Sequence, residues 1–173
     1  MKNKTIILGG GCFWCTEAAF LRLPGVISVV PGYAGGNIEH PTYEAVSSGT
    51  TGHAEVIQVE YDPEKTTLEK ILDLFFTVHD PTTLNKQGND VGTQYRSAIY
   101  YTDEEQKDTI ENIIKQKKSE YSEPIVTEVT SLTDFYEAED YHHNYFEKNP
   151  NASYCQLVVA PKVKKTEEKI KNM

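Results

Sequence analysis

No apolar run in this chain exceeds four residues, Leu157 to Ala160 being one of them. Crossing a bilayer takes ~20 apolar residues in succession, so no membrane span is expected. Basic residues are in the minority, 17 Lys and Arg against 26 Asp and Glu, for a formal net charge of −9 over 173 residues. An acidic surface repels phosphate backbones, which argues against nucleic acid as a partner. Cysteine is scarce and odd in number, three in all, which excludes a disulfide scaffold and points instead to catalysis, redox work or metal. Residues Met1 to Leu8 lack the apolar length and the small-residue cleavage site of a secretory signal, so a cytoplasmic location is expected. The length predicts one domain over 1–173, and the absence of a long apolar surface stripe predicts a monomer.

What is present organises itself readily. Ile6 to Leu8 reads as a strand that runs through Gly9-Gly10-Gly11 into a helical pattern over Cys12 to Leu23, stopped by Pro24-Gly25. Val26 to Val30 is a β-branched second strand. In Ala54 to Tyr61, Ile57, Val59 and Tyr61 alternate with Val56, Gln58 and Glu60, the period of a third. Thr66 with Glu69 and Thr102 with Glu105 form capping-box patterns ahead of two amphipathic helices. Between them lie a long polar stretch, Asp80 to Gln94, and a strand, Ser97 to Tyr101; Ile125 to Leu132 is a fifth strand. The order predicts a two-layer α/β sandwich on a mixed sheet with a split βαβ (ferredoxin-like) core. Beyond Asp134 a short helix and a wrapping C-terminal tail are expected. Lys162 to Met173, with five Lys against two Glu, reads as a frayed basic end.

Cys12 stands where a strand meets a helix. Unpaired backbone N–H groups and the helix dipole favour an anion there, so a nucleophilic thiolate is expected. Phe13 and Trp14, the only tryptophan, follow at successive helical positions about 100° apart, so both cannot enter the core and at least one is free to line a pocket. Cys12 and Cys15 form a C-x-x-C, a signal for dithiol chemistry and also half a zinc site. No second C-x-x-C or H-x3-H spacing completes it among Cys155, His40, His53, His79, His142 and His143, so no metal is expected. His142 and His143 read as surface or hydrogen-bonded histidines.

Several separated blocks then share one resemblance: Gly11-Cys12-Phe13-Trp14; Pro41-Thr42-Tyr43; Ser48 to Glu55 (SGTTGHAE); Gly88-Asn89-Asp90; Gly92 to Ser97 (GTQYRS); and Asn149-Pro150 before Tyr154-Cys155. In this order, spanning nearly the whole chain, they resemble the peptide methionine sulfoxide reductase A family. The resemblance implies thiol-dependent reduction of the S epimer of methionine sulfoxide, free or in oxidised proteins, with no cofactor beyond an external reductant, thioredoxin or dithiothreitol.

It also implies roles. Cys12 is the nucleophile, Glu55 the acid that protonates the sulfoxide oxygen, and Tyr43 and Tyr95 the phenols that hydrogen-bond it. Phe13 and Trp14 are the aromatic wall for the substrate methyl group. Asp90 binds substrate or orients a tyrosine, and Tyr145 is a further pocket tyrosine. Attack leaves Cys12 as a sulfenic acid for a second thiol to resolve. Cys155 matches the family's resolving cysteine, and Cys15, where many members carry glycine, is the alternative. Two rivals are a thioredoxin-like oxidoreductase built on Cys12-x-x-Cys15 and a zinc-stabilised interaction module. Both leave the blocks around Tyr43, Glu55, Asp90 and Tyr95 unexplained.

Overall fold

The structure, a computed structural model, describes residues 2–173. Along the chain come β1 (Lys4–Gly10), α1 (Phe13–Phe20), β2 (Val26–Ala34), a short α2 (Tyr43–Ser47), β3 (Ala54–Tyr61) and α3 (Leu68–Val78). A two-stranded ribbon, β4 (Lys86–Gln87) with β5 (Asp90–Val91), precedes β6 (Ser97–Tyr101) and α4 (Glu104–Lys117). After these lie β7 (Glu128–Ser131), β8 (Phe135–Glu137), α5 (Tyr145–Lys148) and α6 (Ala160–Lys171). The α/β class and the mixed sheet are as expected: the strand order is β7-β6-β1-β3-β2-β8, antiparallel throughout except for the parallel β6/β7 pair. No helix among the described residues is long and apolar enough to cross a membrane.

Strand alternation assigns the two faces of the sheet. Ile6, Leu8, Ile57, Val59 and Ile99 point into the layer of α1 and α3, where Phe20, Leu72 and Phe75 fill the core. Ile7, Val56, Ala98 and Tyr100 point the other way, beside Leu132 and Phe135. Glu55 shares the parity of Ile57, Val59 and Tyr61. It is therefore driven into the helix-covered face at the end of the sheet where α1 begins.

Three local expectations are corrected. The helix caps fall one residue later than the capping boxes suggest: Thr67 accepts from the Lys70 N–H at 3.2 Å, and Asp103 from the Gln106 N–H at 2.8 Å. Thr66 is instead buried. Four elements are additional: α2, the two strands of the β4/β5 ribbon inside the expected polar stretch, and the edge strand β8. Most consequentially, the C-terminal end is not frayed. Val163 and Thr166 are buried and Ile170 packs on the core, a stripe at helical spacing, and Asp73 of α3 anchors the helix by binding Lys169 at 2.9 Å beside Lys117 at 2.7 Å.

Candidate active site

Gly11 takes a positive φ of 92°, and a Cβ there would lie 2.7 Å from Gln87 Cγ, so glycine alone fits the turn that delivers Cys12 to the start of α1. Cys12 occupies the N-cap with extended backbone and no side-chain cap bond. The cap is supplied from the sheet: Glu55 Oε1 accepts the Phe13 N–H at 3.1 Å. The other carboxyl oxygen, Oε2, is buried and has no hydrogen-bond partner among the described residues. Burial pushes the Glu55 pKa up to about 8 against the opposing effect of the Phe13 N–H, so the group holds its proton at neutral pH. A buried carboxyl with a free oxygen next to a cysteine is built to give a proton away.

The expectation of a resting thiolate at Cys12 is corrected. Burial raises the thiol well above its ordinary range, and hydrogen bonding to Cys15 and the proximity of Glu55 add to it; the backbone N–H of Trp14 lowers it but does not prevail. The helix-terminus effect is worth ~1 kcal/mol, less than the cost of a buried anion. Cys15 moves the other way, lowered by its hydrogen bond with Cys12 despite burial and helped by Lys162. All three cysteines are free, and Cys155 is fully buried in a π-helical turn, Cys155–Val159, that packs with Cys12, Cys15 and Val163.

The aromatic residues divide as their spacing requires. Phe13 is fully buried against Tyr33 and Tyr43, with centroids at 5.7 and 6.4 Å. Trp14 is half-buried and stacks on Tyr145 at 3.7 Å with 6° between the planes, while Tyr154 meets it edge-on. Tyr43 opens α2, and burial pushes its phenol up to about 12, with Glu55 and Cys12 adding to the shift. Tyr95, in the 3-10 turn Thr93–Tyr95, is likewise raised by burial and then by Glu55, Tyr43 and Cys12. Both phenols are neutral donors at any physiological pH, Tyr95 packing on the cluster that holds Cys12 and Cys15 and Tyr43 lying against Phe13 and Trp14. Asp90 touches this cluster through Tyr154, whose hydroxyl donates to Asp90 Oδ2 at 2.6 Å and lies 3.9 Å from Cys15 Sγ.

The structure thus brings Cys12, Phe13, Trp14, Tyr43, Glu55, Tyr95 and Tyr145 together, with Asp90 at one side and Cys15 and Cys155 behind. It also brings in Glu139 and Glu17, which the sequence did not single out, and His142, which was expected as a surface or hydrogen-bonded histidine and proves to be the latter. Glu139 accepts from Tyr33 Oη at 2.8 Å and from the Tyr43 N–H at 2.9 Å. His142, fully buried, accepts from Trp14 Nε1 at 3.0 Å. Glu17 accepts from the Asn144 N–H at 2.9 Å and so secures the start of α5. The Tyr- and acid-rich composition after Asp134 is the only signal for Glu139 and His142, and Glu17 carries none. Among the described residues the one group with metal-ligand spacing, Glu137, Asp140 and His143, contains no cysteine and is exposed except for the half-buried His143.

Comparison with known proteins matches this geometry to a family. The model of the family described as "Peptide methionine sulfoxide reductase" matches residues 4–173. A peptide methionine sulfoxide reductase MsrA from Sulfolobus acidocaldarius is 56% identical over 158 residues, covering 91% of this chain and 90% of the relative. One from Haloquadratum walsbyi is 54% identical over 166 residues, covering 96% and 95%. Among solved structures, reduced Mxr1 from Saccharomyces cerevisiae superposes with a TM-score of 0.85 at 36% identity over 89% of this chain and 90% of that one. The same yeast protein in complex with Trx2 gives 0.61 at 26% identity over 83% and 85%. The family model spans the segments that carry Cys12, Glu55 and the surrounding tyrosines, the relatives match over more than nine-tenths of the chain, and the chain belongs to the peptide methionine sulfoxide reductase family.

Proposed function

We propose that this chain reduces methionine S-sulfoxide, free or within oxidised proteins, to methionine through Cys12. The observation that carries the reading is the buried Glu55 carboxyl, protonated at neutral pH and with Oε2 unengaged, beside the Cys12 thiol. A sulfoxide sulfur becomes electrophilic only as its oxygen gains a proton or strong hydrogen bonds. Glu55 supplies the proton, Tyr43 and Tyr95 supply the hydrogen bonds, and Phe13 with Trp14 holds the methyl group. Attack by the Cys12 sulfur forms an S–S bond as Glu55 gives its proton to the sulfoxide oxygen and takes up the proton that the thiol releases; the hydroxyl then passes to the Cys12 sulfur as the S–S and substrate S–O bonds break, leaving Cys12–SOH and the thioether. The substrate sulfur gains two electrons and Cys12 loses two.

A second thiol displaces water from the sulfenic acid and leaves a disulfide. Cys155 takes this part once its π-helical turn opens. Cys15 offers a second reading because it packs in one buried cluster with Cys12, although i and i+3 Cβ atoms stand ~5–6 Å apart against ~3.8 Å in a relaxed disulfide. The yeast relative is solved with Trx2, and here too a thioredoxin, or dithiothreitol in vitro, is the reductant. The reading also takes the chain as a cytoplasmic, monomeric, one-domain enzyme that needs no cofactor. Its β6-β1-β3-β2 order, with α1 and α3 as crossovers, is read as a split βαβ, ferredoxin-like core.

The test is turnover of the separate S and R epimers of a methionine sulfoxide peptide with dithiothreitol. Reduction confined to the S epimer and abolished in Cys12→Ser supports the reading; no turnover of either epimer by the native protein overturns it. Mass mapping of the disulfide trapped in Cys15→Ser and Cys155→Ser separates the two resolving routes.

A further inference from the structure

Residues 139–145 are pinned to the aromatic cluster at three points: Glu139 on Tyr33 and Tyr43, His142 on Trp14, and Asn144 on Glu17. Only the middle one grips a side chain of the substrate wall. An indole N–H can donate but never accept, so His142 Nδ1 must be unprotonated. A neutral imidazole carries one N–H, which places it on Nε2, a buried atom without a partner among the described residues. The ring itself is fully enclosed, with the rings of Phe13, Trp14, Tyr43 and Tyr141 at 5.0, 5.8, 4.4 and 4.0 Å. His142 therefore has one orientation, and that orientation fixes where the Trp14 indole edge can sit.

We propose that His142 is a positioning residue for substrate selection: its Nδ1 holds the Trp14 indole at the angle that sets the width of the methyl pocket, and so sets the preference for methyl sulfoxides over those with a larger S-alkyl group. The inference rests on the reductase reading of Trp14 as the methyl wall. Stacking on Tyr145 restrains the plane of the indole but leaves it free to slide within that plane. The hydrogen bond to His142 stops the slide. Burial keeps the ring neutral, with His143 acting in the same direction and the carboxylates of Glu139 and Glu44 against it.

The test compares methyl and ethyl sulfoxides of otherwise identical peptides, with three variants. His142→Phe keeps the ring and removes the acceptor. His142→Asn keeps an acceptor at the Nδ1 position. His142→Gln moves it to the Nε2 position and serves where the Phe variant does not fold. The methyl-to-ethyl ratio of kcat/KM is expected to fall about fivefold in His142→Phe and His142→Gln, the worth of one neutral hydrogen bond, and to return in His142→Asn. Trp14 is the only tryptophan, so its indole N–H resonance reports the bond without turnover. It is expected to move upfield in the first two variants and to recover in the third. Turnover with an unchanged ratio in a folded His142→Phe or His142→Gln protein would overturn this inference alone. A native protein that turns over neither sulfoxide would overturn the reductase reading, and this inference with it.

Discussion

Glu55 shows what one side chain can take from the strand beneath it. Its burial follows from the alternation that buries Ile57, Val59 and Tyr61, and this much is legible in the sequence; its bond to the Phe13 N–H joins positions 42 apart, which no local pattern encodes. The thiolate expected at Cys12 fails for the same reason, because the helix terminus is local and the burial that outweighs it is not. With the Glu55 pKa raised to about 8, kcat/KM is expected to be level between pH 6 and 7.5 and to fall about tenfold per unit above 8.5, as measured in a pH profile. Glu55→Gln should lose about 10²- to 10⁴-fold at neutral pH. Stability follows with a definite sign. From about pH 4.5 to 8 the folded state keeps a proton that the unfolded chain releases, so stability declines as pH rises, by on the order of 5 kcal/mol in all. Urea titration at pH 9 should accordingly find Glu55→Gln more stable than the native protein.

Among the elements, the long ones were readable and the short or unevenly composed ones were not. The strands at Ala54–Tyr61 and Ser97–Tyr101 and the helices α3 and α4 carry enough residues for a period to show. The five residues of α2 and the three of β8 do not. Helix α6 was hidden by five lysines, and its buried stripe runs through Thr166, a residue that does not count as apolar. That helix continues from the π-helical turn that encloses Cys155. Placing a charge in its buried stripe should therefore loosen both. Val163→Asp is expected to cost 2–4 kcal/mol in urea unfolding and to speed alkylation of Cys155 by iodoacetamide at least tenfold. Unchanged alkylation would show that the turn opens independently of α6.

At the scale of the whole molecule, the sheet order and the two crossovers set where the ends of β1, β3 and β6 meet, and the site occupies that place. Its formation depends on the entire sheet, which is why strands could be found one at a time while their neighbours could not. The buried groups also shape the overall pH response. His79 closes α3 and is held by the Phe75 carbonyl at 2.6 Å and by Ser97 Oγ at 2.8 Å, and burial lowers its pKa to about 4. Below about pH 6.5 the unfolded chain binds a proton that folded His79 refuses, so stability falls as pH drops toward 4, by on the order of 3 kcal/mol. Glu55 removes stability on the alkaline side and His79 on the acid side. Between about pH 4.5 and 6.5 the two slopes nearly cancel, so denaturation midpoints across pH 4 to 9 should stay level up to about pH 6.5 and fall above it, and His79→Gln should make them fall from about pH 4.5 onward.

The protonated state of Cys12 has a meaning for the conditions in which such an enzyme must work. Methionine sulfoxide accumulates where peroxide is abundant, and peroxide consumes thiolates in preference to thiols. A nucleophile that rests as a buried thiol is a poor target for the oxidant whose damage it reverses. It is committed only when a sulfoxide arrives carrying the oxygen it is meant to remove, and the repair machinery outlasts the stress that calls for it.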